Sequence, residues 1–116
     1  MRMAEECVFC KIGSGEIPSE FLYRDDLAYV IRDIRPRAPT HLLVIPSEHV
    51  TYLASFTNER EALVGHLLLV AREMAQREHL VERGYRLVVN QGPDSGQEVP
   101  HLHLHLLGGR QLGAMG

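Results

Sequence analysis

The sequence predicts a single α+β domain over residues 1–116, with about five short strands in a mainly antiparallel sheet, one long helix and a few short helical pieces. Three observations predict it. Apolar residues recur at sustained helical spacing in one stretch only, after Asn58. Strand-like apolar runs bounded by Asp, Pro and Gly lie on both sides of that stretch. The segment HLHLHLL, residues 101–107, alternates strictly, as a half-buried strand does. Strands grouped in runs with a helix inserted are the pattern of an α+β domain. A chain of this length can bury a substantial core without a covalent staple.

In chain order, residues 5–16 read as a short helical turn ending at the bend GSGEIP. Phe21 to Arg24 and Leu27 to Asp33 read as two strands around the turn Asp25-Asp26. RPRAPT is a loop broken by prolines, and HLLVIP, from His41, is an apolar strand that stops at Pro46. HVTYLASF can hold one helical turn. Asn58 is a good N-cap residue, and Glu61 stands at the reciprocal capping-box position. Behind it, Leu63, Leu67, Val70 and Met74 make one stripe, and Val64, Leu68, Ala71 and Ala75 a second, so a wide face is expected to be buried. Gly65 inside this helix costs about 1 kcal/mol relative to alanine. It is either a tolerated glycine or the site of a close backbone approach, as at a subunit interface. YRLVVNQG, from Tyr85, is a further strand, and the loop GPDSGQ leads into the histidine strand.

Composition excludes several classes of function. The formal net charge is −3 and no basic patch dominates, so a nucleic-acid polymer is not an expected partner, whereas a small nucleotide needs only a local site. No apolar run approaches 18 residues, so no membrane span is expected. The N-terminus MRMAEECVFCK is too polar for a signal peptide, which makes a cytoplasmic location and reduced Cys7 and Cys10 the default expectation.

In a strand, residues i, i+2 and i+4 share a face, at about 3.3 Å rise per residue. His101, His103 and His105 would then form a row, with Leu102, Leu104 and Leu106 turned to the core. A lone histidine is usually surface filler or a satisfied core residue, but three on one face ask for a common purpose. Neutral imidazoles suit metal binding, and they suit acid–base or nucleophilic work near neutral pH. The preceding loop, GPDSGQEVPH, holds Gly92 and Gly96, and its main-chain N–H groups can cradle an anion. A phosphate held there would lie beside the imidazoles. Cys7-x2-Cys10 has the spacing of half a zinc site, and equally of two buried thiols.

HLHLHLL fits the motif of alternating histidines and apolar residues that names the histidine-triad superfamily. CVFCKIGSGEIPSEFLYRDD, IRDIRPRAPTHLLVIPSEHV, GYRLVVNQG and SGQEVPHLHLHLLGGRQLG all resemble its Hint branch, so the likeness runs from about Cys7 to Gly113. The resemblance implies hydrolysis of purine nucleoside phosphoramidates to a nucleoside monophosphate and an amine. It implies that His103 is the nucleophile and carries a nucleotidyl intermediate, its tautomer fixed by a backbone carbonyl. It implies that His105 donates to a phosphate oxygen and that His41, with His101, completes the histidine network. Asn90, Gly96, Gln97 and Val99 would hold phosphate and ribose, and Asp33 would accept from the ribose hydroxyls. Val8, Phe9, Ile12, Ile31 and Ile34 would line the base pocket. A homodimer with one continuous sheet, the long helices packed across the two-fold axis, is implied as well.

Two features depart from the branch. Glu98 stands where a serine that assists the leaving group is common, although glutamate occurs there in bacterial relatives. The tail RQLGAMG lacks the tryptophan segment of animal relatives. In cysteine-containing bacterial relatives a histidine of the P-x-x-H segment, here His49, and the first triad histidine, here His101, join two cysteines around zinc. The resemblance therefore implies a structural zinc on Cys7, Cys10, His49 and His101. Two competing functions stand beside this reading. A zinc hydrolase built on the histidine row predicts no nucleotidyl-enzyme and activity lost to chelators. A non-catalytic nucleotide-binding or interaction protein predicts binding of a monophosphate without turnover.

Overall fold

Five strands pair antiparallel in the order β1-β2-β3-β5-β4. They are β1 Tyr23–Arg24, β2 Ala28–Arg32, β3 Thr40–Pro46, β4 Tyr85–Val88 and β5 Leu104–Gly108. The computed structural model describes residues 7–116, so the predicted first residues of the N-terminal turn, 5 and 6, lie outside the described residues. Helix α1, Val8–Ser14, ends at Gly15, whose φ of 86° places it in the left-handed region where glycine carries no Cβ penalty. Helix α2, Glu61–Arg77, is the long helix.

β2 and β3 carry near-continuous apolar runs because both of their faces are covered. Ala28, Val30, Leu42 and Val44 join Leu67, Val70, Ala71, Met74 and Ala75 of α2 in one core. The alternate residues Tyr29, Ile31, Leu43 and Ile45 join Cys7, Phe9 and Ile12 in a second core on the α1 side. Leu102, Leu104 and Leu106 belong to the α2 core, as the alternation predicted. Fully burying an aliphatic side chain contributes roughly 1.5–3 kcal/mol. Leu42, Leu106 and Met74 are such residues, and they fix α2 across β3 and β5.

Three expectations need correction. The histidine strand is shorter than 101–107, because the sheet ladder begins only at Leu104. Before it the chain bonds elsewhere: His101 N–H to the Val99 carbonyl at 2.8 Å and Leu102 N–H to that of Val50 at 2.7 Å. Asn58 does not cap the long helix. It opens a single 3₁₀ turn, Asn58–Arg60, and α2 starts at Glu61 with no side-chain cap. Glu61 is then the first helical residue rather than the third, so no capping box can close. That end is held instead by Arg60, which pairs with both carboxylate oxygens of Glu48 at 2.6 Å. The buried face of α2 is also narrower than two full stripes: Leu63 and Val64 are half-buried and Leu68 is 47% exposed, as nothing among the described residues covers that side. Gly65 has open space where a Cβ would stand, so no close approach among the described residues explains it.

Candidate active site

The register brings His41 and His105, 64 residues apart, together, with His103 beside them. Leu43 of β3 lies opposite His105 of β5, and His41 lies opposite Leu107, so His41 and His105 project from the α1-side face of neighbouring strands. Their rings meet, with His41 Nε2 2.9 Å from His105 Nδ1. The ring of His103 lies 5.0 Å from that of His105, centroid to centroid.

Backbone groups settle which nitrogen of each ring carries its proton. The main-chain N–H of Arg37 donates to His41 Nδ1 at 3.0 Å. The proton of neutral His41 is therefore on Nε2, which donates to His105 Nδ1. That bond leaves the proton of neutral His105 on Nε2, which lies 3.5 Å from the Asn90 side-chain nitrogen, itself a donor, so the two bond only when the amide turns its oxygen to the ring. His103 differs: its Nδ1 meets the His101 carbonyl oxygen at 2.7 Å, an acceptor only, so Nδ1 carries the proton and Nε2 keeps a lone pair. The site thus presents one ring with a free lone pair beside one with a free N–H.

Burial favours the neutral forms of His105 and His41. It pushes His105 down from 6.5 to about 4, helped by neighbouring His103 and His41 and opposed by Asp33. It lowers His41 too, with the Asp33 carboxylate working against the shift. Asp33 Oδ2 lies 3.4 Å from His41 Nε2, and Oδ1 accepts the main-chain N–H of Arg35 at 2.8 Å. The carboxylate predicted to meet a ribose is thus also tied to the histidine network.

His101 turns away from this group. Its side chain is fully buried, Nε2 donates to the Pro46 carbonyl at 2.9 Å, and Nδ1 is left with a lone pair facing the two thiols. Cys7 Sγ lies 3.3 Å and Cys10 Sγ 3.6 Å from that nitrogen, and Cys10 Sγ lies 3.2 Å from His49 Nδ1. A tetrahedral zinc with Zn–S of about 2.3 Å and Zn–N of about 2.0 Å holds sulfur and nitrogen roughly 3.5 Å apart. One donor atom from each of the four residues lies within 4.8 Å of all the others, which fits one such ion. Burial lowers the His101 pKa to about 4, so the ring is neutral, as a ligand must be. Burial, with Cys7 alongside, pushes the Cys10 thiol up to about 11, a cost that a cation between the sulfurs reverses.

The remaining predicted residues surround the histidines to differing degrees. The loop after β4 has Gly92 at φ 85° and Gly96 at φ 81°. The Gln97 side chain accepts the Gly92 N–H at 2.8 Å and donates to the Val99 carbonyl at 3.3 Å, so it braces the loop. Glu98 is exposed and makes no hydrogen bond among the described residues. Phe9, Ile12 and Ile31 are packed in the α1-side core, whereas Val8 is 39% and Ile34 92% exposed, so, contrary to expectation, these two do not wall a pocket in the single chain.

Sequence reasoning missed the main-chain groups that set the tautomers, at Arg37, Pro46 and His101, because a carbonyl or N–H leaves no mark in residue type. It also gave His66 no role. His66 Nε2 meets Asp25 Oδ2 at 2.6 Å, and the Tyr23 hydroxyl donates to the same oxygen at 2.6 Å, which ties α2 to the β1–β2 turn.

The fold and the ordered histidines are those of a histidine-triad domain. A family model for the HIT domain matches residues 14–112, and the chain belongs to that family. It is 48% identical over 113 residues to the purine nucleoside phosphoramidase of Escherichia coli K12, covering 97% of this chain and 95% of that protein. A crystal structure of a HIT family hydrolase from Legionella pneumophila superposes with a TM-score of 0.89 at 48% identity, covering 92% of this chain and 96% of the other. A zinc-bound histidine triad family protein from Mycobacterium smegmatis superposes with a TM-score of 0.79 at 35% identity, over 92% of this chain and 77% of that one.

Proposed function

We propose that this chain hydrolyses purine nucleoside phosphoramidates to a nucleoside monophosphate and an amine, through a nucleotide held covalently on His103. One observation carries the reading: the Nδ1–H of His103 is committed to the His101 carbonyl, which leaves Nε2 free as a nucleophile beside the Nε2–H of His105. The close relationship to a purine nucleoside phosphoramidase supports the substrate class.

In the first step His103 Nε2 attacks the α-phosphorus and the phosphorus–nitrogen bond breaks, the nitrogen taking up a proton from solvent and leaving as the neutral amine. The ring becomes an imidazolium whose positive charge points its remaining N–H at the His101 carbonyl. His105 donates to a non-bridging oxygen, where charge accumulates in the transition state. Water then attacks the phosphorus and releases His103. The covalent route divides one difficult displacement into two easier ones. Asn90 and the loop over Gly96, Gln97 and Val99 hold the phosphate, and Asp33 offers its lone pairs to the ribose. Phe9, Ile12 and Ile31 back the base, with Val8 and Ile34 at the rim.

Cys7, Cys10, His49 and His101 would hold a structural zinc, in line with the zinc-bound relative. Bound there, the ion fixes side chains and does no chemistry on the substrate. The reading of a zinc hydrolase on the histidine row is disfavoured, because His101 faces the cysteines and His41 and His105 bond directly to each other. The uncovered side of α2, with Leu68 and Leu69 about half exposed beside Gly65, and the free edge of β4 suit a second copy of the chain, which would extend the sheet. The absence of a helix long and apolar enough to cross a membrane among the described residues accords with a cytoplasmic enzyme.

The test is turnover of adenosine 5′-phosphoramidate. Release of AMP and ammonia in equal amounts is expected. Tight AMP binding with no turnover would instead favour the non-catalytic reading.

A further inference from the structure

We infer that Phe9 is a positioning residue that couples the metal cluster to nucleotide binding, so that zinc on one side and the nucleotide on the other strengthen each other. This rests on the zinc and nucleotide readings proposed above.

Phe9 belongs to both sites at once. It lies in α1 between Cys7 and Cys10, two of the four metal-cluster residues. Its ring packs edge-on against His101 at 5.8 Å and against His103 at 5.1 Å, centroid to centroid. A short segment that carries two ligands and the ring between them cannot move its sulfurs without moving that ring. The segment has few other anchors. The Tyr29 hydroxyl donates to the Phe9 carbonyl at 2.6 Å, and the Cys7 residue ahead of the helix supplies no side-chain cap. A seven-residue helix is too short to be stable alone, so what fixes it is what it packs on and what it binds.

A second link runs through the main chain. His101 offers Nδ1 to the cluster, while its carbonyl accepts the Nδ1–H of His103. One residue therefore faces the metal with its side chain and the nucleophile with its backbone. His49 reaches the cluster through Nδ1, 3.2 Å from Cys10 Sγ, and its buried Nε2 has no partner among the described residues, so no hydrogen bond on the far side of the ring anchors it. With the ion in place α1, Phe9 and His101 are held as one unit. Without it α1 has its packing, the Tyr29 bond and a bond from the Arg24 guanidinium to the Gly13 carbonyl, none of which fixes the two sulfurs, and a nucleotide that needs the Phe9 ring in place has to order it first.

Coupling between two sites is reciprocal: the factor by which one ligand tightens the other is the same in both directions, and about fivefold or more is typical. The measurement is calorimetric titration of AMP into zinc-loaded and zinc-free protein, with titration of zinc in the presence and absence of AMP. AMP should bind about fivefold or more tightly to the zinc-loaded chain, and saturating AMP should tighten zinc by the same factor. Phe9→Leu fills the space without a ring and should bring both factors towards one, while still taking up one zinc per chain. Equal AMP affinity with and without zinc in the wild type overturns the inference, whatever the variant does. Full coupling in Phe9→Leu overturns the part assigned to Phe9. A zinc-free chain that has lost its far-ultraviolet circular dichroism also overturns it, since the ion would then hold the whole fold. Failure of AMP to bind any form, or of zinc to bind the wild type, contradicts the underlying reading and the inference with it.

Discussion

The Nδ1 of His103 lies 2.7 Å from the carbonyl oxygen of His101, two residues earlier in the chain. A carbonyl can only accept, so this contact places the proton of His103 on Nδ1 and its lone pair on Nε2. The contact exists because the chain has not yet entered the sheet at this point. In a regular strand the His101 carbonyl would face a neighbouring strand. The shortening of β5 to Leu104–Gly108 is therefore what leaves the Nε2 lone pair of His103 free.

His105 should make the protein lose stability in mild acid. Its folded-state pKa is about 4, below the ordinary 6.5, so between those values the unfolded chain binds the extra proton. Stability then rises with pH across that window and is lost as pH falls from 6.5 towards 4, by roughly 1.4 kcal/mol per pH unit for one such group. Urea unfolding at several pH values should show this, and His105→Asn should reduce the slope by about one proton. An unchanged slope would mean that the ring titrates normally in the folded chain.

Much of the fold was legible. The leucines between the histidines pointed to the α2 core because strand alternation is a strong constraint, and burial on both faces accounts for the unbroken apolar runs of β2 and β3. The ends of elements were less legible. At the start of α2 Arg60 pairs with Glu48, twelve residues away, a contact that no local signal at Asn58 carries. The candidate site was legible as a set of side chains, but its proton arrangement was not. Arg37 acts through its main-chain N–H and Pro46 through its carbonyl, groups every non-proline residue has in the first case and every residue in the second.

The cysteine cluster should bind one zinc per chain in protein purified without chelator, and Cys7→Ala should lose it. Elemental analysis of both proteins decides. Equal zinc in the two, or none in either, rules the site out. Loss of turnover in a Cys7→Ala chain that still folds and binds AMP normally would point back to metal-based hydrolysis.

Asp33→Ala should weaken AMP binding more than dAMP binding, because only the ribonucleotide offers both hydroxyls. Hydrogen bonds to a charged group contribute about 1.5–3 kcal/mol each, so roughly a tenfold or greater difference is expected by calorimetry. Equal losses would confine Asp33 to the His41 contact and the turn at Arg35 that the structure shows.

If the bare side of α2 is covered by a second copy, Leu68→Glu combined with Leu69→Glu should convert a dimer to a monomer in sedimentation velocity. Each leucine is about half exposed in the single chain, 47% and 52%, so the substitutions leave the core intact. A wild type that sediments as a monomer at micromolar concentration contradicts the dimer.

The covalent role of His103 is the claim on which the functional account depends, and rapid-quench mass spectrometry of the intact protein tests it most directly. With a slow adenosine phosphoramidate, wild type should show an adduct of nucleotidyl mass on His103 that mild acid removes. His103→Asn should show none, should lose at least about 10³-fold in turnover, on the order of 4 kcal/mol of barrier, and should still bind AMP. Turnover by wild type with no adduct at any quench time, or near-normal turnover by His103→Asn, would contradict the account.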